Sequence, residues 1–206
     1  MGKRTVSQAL QLIIRPVFTT RELSVLRDGS LSSTSQSLSR LENKGLVRRL
    51  IRGVWCIPSD PRFSPFAVVP FLVPGHRAYV SFITALHLHG IIEQIPQVIY
   101  AATTGHGRTI TTDIATYSFH QLMPEIFCGF DWYGNRQDFL VAAPEKALVD
   151  SLYLSSRKGQ RFGVFPELSF SSSFSFPSAR KWAKRITDDR IRGCVLKKLR
   201  NIEARD

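Results

Sequence analysis

Helix breakers cut the first sixty residues into pieces too short for anything but small helices and a hairpin, and this spacing constrains the fold more than any other feature. Pro16, the turn Asp28-Gly29-Ser30, Gly45, Gly53 and Pro58 interrupt the chain, and proline and glycine are the residues that end helices and tighten turns. Over residues 7–14, Ala9, Leu10, Leu12, Ile13 and Ile14 occupy a helical stripe that Pro16 stops near Arg15. Thr19 followed three residues later by Glu22 forms a capping box and predicts a second helix to about Arg27. Beyond the Asp-Gly-Ser turn, Ser32 or Ser33 can cap a third helix that ends at Gly45, a glycine suited to a left-handed cap. Two β-prone runs, 46–51 and 54–57, joined by Arg52-Gly53, predict a hairpin closed by Pro58.

On the third helix, a rotation of about 100° per residue separates two faces. Thr34, Leu38, Leu41 and Gly45 share one; Ser33, Gln36, Arg40, Asn43 and Lys44 share the other, with Ser37 at its side. Serine, glutamine, asparagine and arginine hydrogen-bond to base edges, and arginine and lysine also meet phosphates, so this surface has the chemistry of a major-groove reader. An ordinary solvated face is the alternative for an isolated helix. Three helices followed by a hairpin is the order of a winged helix-turn-helix, in which Arg48, Arg49 and Arg52 would lie on the wing and grip the DNA backbone or the adjacent minor groove.

Charge points the same way. The 206 residues hold 28 Lys and Arg against 16 Asp and Glu, a net +12, yet 43% of the chain is hydrophobic. That apolar content excludes a disordered basic tail and allows one large or two small domains. The positive charge is concentrated at the two ends: residues 1–60 carry +6, residues 61–150 carry −2 and residues 151–206 carry +8. Such clustering suits a polyanion, because each phosphate neutralised by Lys or Arg releases condensed counterions.

Pro58, Pro61 and Pro65 mark a linker over 58–65, so the division expected is a DNA-binding domain over 1–60 and a second domain over 61–206. Helical spacing over 79–90, with Ser81 as cap, precedes a buried strand at 97–102 and further strand candidates at 115–119, 127–132 and 139–142. Pro144 and Glu145 open another helix over 144–154. Two basic helical patterns follow at 178–186 and 188–202, the second with the apolar stripe Ile191, Val195, Leu199 and Ile202. Arg180, Lys181, Lys184, Arg185, Lys197 and Lys198 on them form a possible second basic surface, or simply a solvated one. The fold class expected is α+β: an N-terminal winged helix-turn-helix, then a mixed α/β domain with basic C-terminal helices.

Three runs carry a family resemblance in the first domain: Phe18-Thr19-Thr20-Arg21-Glu22-Leu23, residues 37–47, and Arg52-Gly53-Val54-Trp55. They resemble the winged-helix domain of AbiEi-type antitoxins and related transcriptional regulators. The segments 79–90 (YVSFITALHLHG), 97–104 (QVIYAATT) and 142–152 (AAPEKALVDSL) are similar to the segments that join the winged helix to the antitoxin domain in those proteins. The resemblance spans roughly 15–155 and stops short of 156–206. It implies a repressor that binds double-stranded operator DNA near its own promoter, often encoded beside a nucleotidyltransferase-like toxin that it neutralises without a stable complex. A stand-alone winged-helix regulator, or an RNA- or protein-interaction module working through the basic C-terminal helices, is the alternative.

Enzymatic readings find less support in the residues. Gly29-Ser30 leads into leucine and serines rather than the paired aspartates of a nucleotidyltransferase, and no cofactor is implied. Asp131, Asp138, Glu145 and Lys146 are the acids and lysine a metal-dependent nuclease would need, but Glu145 and Lys146 are adjacent on a helix and point apart. His87 and His89 would likewise diverge, so they read as structural and no metal site is expected. Gly105-His106-Gly107-Arg108 lacks the full phosphate-binding fingerprint and reads as a loop. Cys56, Cys128 and Cys194 are spaced 72 and 66 apart, which fits neither a disulfide framework nor zinc, and they read as reduced and structural. The longest run free of acids and bases, histidine included, is 63–75, too short to span a bilayer, and Ser7, Gln8 and Gln11 break any signal-peptide core. No membrane segment and a cytoplasmic location are expected.

Overall fold

The computed structural model describes residues 4–134, 139–157 and 166–205. They form two compact units, Met1–Leu72 with Thr112–Ile114, and Val73–Thr111 with Ala115–Asp206. The molecule is α+β, as its sequence predicts.

The first unit runs α1 (Val6–Gln11), β1 (Val17–Thr19), α2 (Thr20–Leu26), α3 (Leu31–Asn43), β2 (Arg48–Ile51) and β3 (Val54–Cys56). Its sheet has the order β1-β3-β2 and is antiparallel throughout. Capping decides where the helices begin. Thr5 and Gln8 form a capping box on α1, and Thr19 and Glu22 form the expected one on α2. The cap of α3 is Ser30, two or three residues before the serines expected. Thr34 explains the shift: it is fully buried and donates its hydroxyl to Ser30 O at 2.8 Å, so the helix must already be turning at Leu31.

Strand β1 is not legible from local pattern, because its three residues pair only with β3, almost forty positions away. The α1 stripe ends at Gln11 rather than continuing to residue 14, and Ile14 is left 83% exposed. The expected linker is stapled back onto this unit. Arg62 binds Asp60 at 2.6 Å and donates to Ile14 O at 2.6 Å, the Arg15 guanidinium lies over the Phe71 ring, and a 3₁₀ segment Pro65–Leu72 buries Val68, Val69 and Leu72. Residues 61–72 therefore group with the first unit rather than the second.

The second unit is built on a six-stranded mixed sheet in the order β6-β7-β5-β4-β9-β8. Its strands are β4 (Ala78–Val80), β5 (Val98–Thr103), β6 (Arg108–Thr111), β7 (Thr116–Gln121), β8 (Phe130–Trp132) and β9 (Leu140–Ala142), and its helices are α4 (Phe82–Leu88), α5 (Pro144–Ser156), α6 (Phe176–Ala183) and α7 (Asp189–Glu203). The segment expected as one helix over 79–90 is a strand followed by a helix. Ala78, Tyr79 and Val80 are claimed by β5 on one side and β9 on the other, and the chain turns at Phe82, which is fully buried with φ +57°. The strand expected at 127–132 shortens to β8 because Pro124–Ile126 forms a 3₁₀ turn before it.

Helix α5 is the centre of this unit and packs against α4, α6 and α7. Every residue from Lys146 to Ser155 is buried. That includes an ion pair, Lys146 with Asp150, each side chain only 1% exposed. The remaining capacity of the pair is met by Tyr79 and Ser81 of the β4–α4 junction: Tyr79 OH and Ser81 Oγ donate to Asp150 Oδ2 at 3.1 and 2.7 Å, and Lys146 Nζ donates to Tyr79 OH at 3.2 Å. Burial raises the Asp150 carboxyl and the Tyr79 phenol above their ordinary ranges, with Lys146 opposing the rise at Asp150.

A buried pair contributes little net stability but is expensive to break. Lys146→Met should therefore destabilise the protein by about 3–5 kcal/mol, whereas Lys146→Met with Asp150→Leu should recover most of the loss. Urea denaturation of the three proteins checks this; equal losses in the single and double variants would refute it.

Candidate nucleic-acid interface

The packing of α3 fixes which side chains face solvent. Thr34 and Leu38 are fully buried, and Leu38 joins Val6, Ala9, Phe18, Leu23, Val47 and Trp55 in one apolar cluster, with Leu41 partly buried against it. This locks the rotation of the helix. Gln36, Arg40, Asn43 and Lys44 are consequently exposed, and their side chains make no hydrogen bond or ion pair among the described residues. Unpaired amide and guanidinium groups on one rigid face retain their full donor and acceptor capacity.

Ser33 and Ser37 are less free than the sequence suggests. Ser33 Oγ donates to Ser30 O at 3.2 Å and accepts from Ser30 Oγ at 3.0 Å, and Ser37 Oγ donates to Ser33 O at 2.8 Å; both are half-buried and have only their remaining lone pairs to offer as acceptors. Ser32 and Ser35 are exposed and Ser39 half-exposed. The 100° spacing puts Ser32 and Ser39 beside Gln36 and Asn43, so these two serines, absent from the DNA-contacting set expected from the sequence, where Ser33 and Ser37 stand instead, share the exposed face.

Helix α3 ends where Gly45 adopts φ +72°, with Gly45 N donating to Glu42 O at 2.8 Å and Leu46 N donating to Leu41 O at 3.0 Å, a Schellman motif. The chain then enters β2. Glu42 ties the two elements together, since its Oε1 accepts from Arg49 N at 2.9 Å. Gly53, at φ +82°, makes the turn into β3. Arg48, Arg49 and Arg52 are all exposed on this hairpin. Arg49 lies opposite Trp55 with its guanidinium 5.8 Å from the indole centroid, while Arg52 at the tip has no partner among the described residues. The first unit thus places a polar helix face and an arginine hairpin in a fixed relation.

The six C-terminal basic residues are not equivalent. Arg180 pairs with Glu203 at 2.6 Å, Lys198 donates to the carbonyl and hydroxyl of Ser155 at 3.1 and 2.8 Å, and Arg185 stacks over Trp182. Arg192 is consumed by Asp189 and by Ile186 O. Lys181, Lys184 and Lys197 are exposed without a partner among the described residues.

The residues weighed for other chemistry are accounted for by packing. His89 Nε2 lies 2.8 Å from Ala142 O and His87 Nδ1 3.3 Å from Ile92 O. Glu145 accepts from Ser175 N at 3.0 Å, Lys146 is locked to Asp150, and Asp131 accepts from the neighbouring Trp132 N at 2.7 Å, so these groups do not converge; Asp138 lies outside the described residues. Gly105 sits against His76, whose ring a β-carbon would approach to 2.7 Å, and the chain continues into β6 rather than a helix. Among the described residues, no helix is long and apolar enough to cross a membrane.

Residues 7–58 match the family of transcriptional regulators described as "Transcriptional regulator, AbiEi antitoxin". This stretch of the first unit is similar to the AbiEi-type regulators. The matched stretch runs from α1 through β3, the elements that hold the polar helix face and the arginine hairpin. The AbiEi family is one of regulators and antitoxins. No curated protein matches the chain.

The three cysteines are free, but only one is deeply structural. Cys56 in β3 is fully buried, and burial pushes its thiol up to about 11, with Arg48 pulling the other way. Cys194 is exposed on α7 instead of packing in a core. Because the thiolate is the reactive form, iodoacetamide at pH 8 should label Cys194 readily and Cys56 only after unfolding. Rapid labelling of Cys56 in the folded protein, read by peptide mass spectrometry, would contradict the packing of β3.

Proposed function

We propose that this chain is a sequence-specific DNA-binding repressor of the AbiEi antitoxin type, with the first unit acting as a winged helix-turn-helix on the operator of its own operon. The observation that carries the reading is the unpaired, exposed set Gln36, Arg40 and Asn43 on a helix whose rotation is fixed by Thr34 and Leu38. On duplex DNA, α3 enters the major groove. Arg40 and Asn43 contact base edges, Gln36 and the lone pairs of Ser33 and Ser37 add hydrogen bonds, and Lys44 with Arg48, Arg49 and Arg52 meets phosphates. The functional partner is a nucleotidyltransferase-like toxin, countered without a stable complex between the two proteins, and the chain itself has no catalytic role. The match of residues 7–58 to the AbiEi antitoxin regulators supports this reading.

A second reading is supported by one observation, the three unpartnered lysines Lys181, Lys184 and Lys197, which suit an RNA or an acidic protein surface. Deleting the C-terminal helices would not test it, because Ala179, Ala183, Val195 and Leu199 are fully buried. Charge reversal at the three lysines leaves that core intact.

Binding to the chain's own upstream DNA and to a scrambled duplex, across salt concentrations, separates these readings. Arg40→Ala should reduce the preference for the native sequence by about 1–3 kcal/mol. Arg52→Ala should weaken both duplexes alike and lower the salt slope by about one. If Arg40→Ala changes nothing while reversal of Lys181, Lys184 and Lys197 abolishes binding, the C-terminal surface carries the function and the winged-helix reading is lost.

A further inference from the structure

A cleft of about 230 Å³ lies on the second unit between the 3₁₀ turn Pro124–Ile126, the end of α5 and the junction of α6 and α7. It belongs wholly to that unit and is independent of the DNA-reading role proposed for the first. Tyr153 lines it at only 4% exposure, and its phenol makes no hydrogen bond among the described residues. Buried hydroxyls normally have a partner. Burial raises this phenol above its ordinary range, with Arg157 opposing the rise and Asp188, Asp150 and Glu125 adding to it, so the group stays protonated and can donate.

Arg157, Asp188 and Glu125 line the same cleft, and Arg185 is the fourth charged group there. Two guanidiniums and two carboxylates thus surround it, yet they form no ion pair with one another or with any other described residue. Each keeps capacity to bind. The Glu125 carboxylate has no partner among the described residues, and Asp188 caps α7 through Oδ1 alone. Arg157 gives one N–H to Gln121 O at 3.4 Å and lies over the Tyr153 ring, and Arg185 lies over Trp182, so most of the five donors of each guanidinium remain. A simple anion or a simple cation would meet a like charge here. A net-neutral molecule that carries both charges meets none unopposed. Buried Ile126 and Ile186 add an apolar wall. The volume corresponds to roughly eight waters and falls below the roughly 300 Å³ at which sites for drug-sized ligands begin, so the occupant is small.

We propose that this cleft binds a small apolar α-amino acid as its zwitterion. The carboxylate accepts from the Tyr153 hydroxyl and from the Arg157 guanidinium stacked on the same ring. The ammonium donates to Glu125 and Asp188, Arg185 offsets the second acid, and the aliphatic side chain packs on Ile126 and Ile186.

Isothermal titration calorimetry of the full chain with L-valine, L-leucine and L-methionine tests this. At least one should bind at a single site per chain. The des-amino and decarboxylated analogues of the amino acid that binds should each be about tenfold or more weaker, because each leaves one pair of protein charges unmatched. Glu125→Gln and Tyr153→Phe preserve side-chain shape, so the fold is retained, which circular dichroism verifies; each should weaken binding by about tenfold. Absence of binding by all three amino acids, or a des-amino analogue that binds as tightly as its parent, overturns the proposal. Inorganic phosphate that binds more tightly than any of the three also overturns it and assigns the cleft to anions. Amino-acid binding that survives both substitutions unchanged places the ligand elsewhere and overturns it too.

Discussion

Trp55 joins the hairpin of the first unit to its helices, and the arrangement of that unit depends on this one side chain. It is 1% exposed in the middle strand of the sheet, its ring packs with Phe18, Leu23, Leu38 and Val47, and its Nε1 donates to Thr20 Oγ1 at 2.8 Å. The hydrogen bond satisfies the one polar atom of the indole and a buried hydroxyl at the same time, so neither is left unpaired in the core. Thr20 is the first residue of α2, directly after the N-cap Thr19 and within the capping box that Thr19 forms with Glu22. Position and orientation of α2 are thereby tied to β3. Leu38 on the same cluster does the same for α3, and Glu42, through Arg49 N, closes the loop back to β2. The helix face and the arginine hairpin are held by this circuit of contacts.

The second unit solves a different problem. Its central helix is buried on all sides, and yet it carries a lysine and an aspartate one turn apart. Two charges in a low-dielectric interior persist only when each compensates the other and the residual lone pairs and protons find partners. Tyr79 and Ser81 provide them from the β4–α4 junction, which links the position of the sheet to that of the helix through polar geometry. Trp182 of α6 and Lys146 both press on Gly129, where φ is +74° and a β-carbon would come within 3.0 Å of each. The order in this unit therefore rests on directional bonds as well as on apolar area.

Charge read from the sequence overstates how many basic side chains either end keeps available for binding. Residues 151–206 carry more net positive charge than residues 1–60. In the fold, Arg180, Arg192 and Lys198 are spent on Glu203, Asp189 and Ser155 and Arg15 and Arg62 on Glu22 and Asp60, whereas Arg40, Lys44 and Arg52 at one end and Lys181, Lys184 and Lys197 at the other are spent on nothing among the described residues. A formal charge becomes a binding surface only where the side chain keeps its donors, and that depends on neighbours brought in by folding.

The sequence by itself determined what is local. Thr19 with Glu22, Gly45 after the third helix and Gly53 in the hairpin each act within four residues, through a cap or a left-handed backbone angle, and so they place α2, the end of α3 and the β2–β3 turn before any tertiary contact forms. The same locality made the exposed face of α3 legible, because helical spacing separates Gln36 and Arg40 from Leu38 on geometry alone. The tertiary structure decided the rest. Strands β1 and β4 are three residues long and exist only by pairing with distant partners, so no periodicity announces them. Among several serines that can cap α3, Ser30 is selected by the burial of Thr34. That Lys146 and Asp150 lie one turn apart was visible in the sequence. Their burial was not, because the packing of α4, α6 and α7 around α5 removes them from water, and that packing is a property of the whole unit rather than of any stretch of its chain.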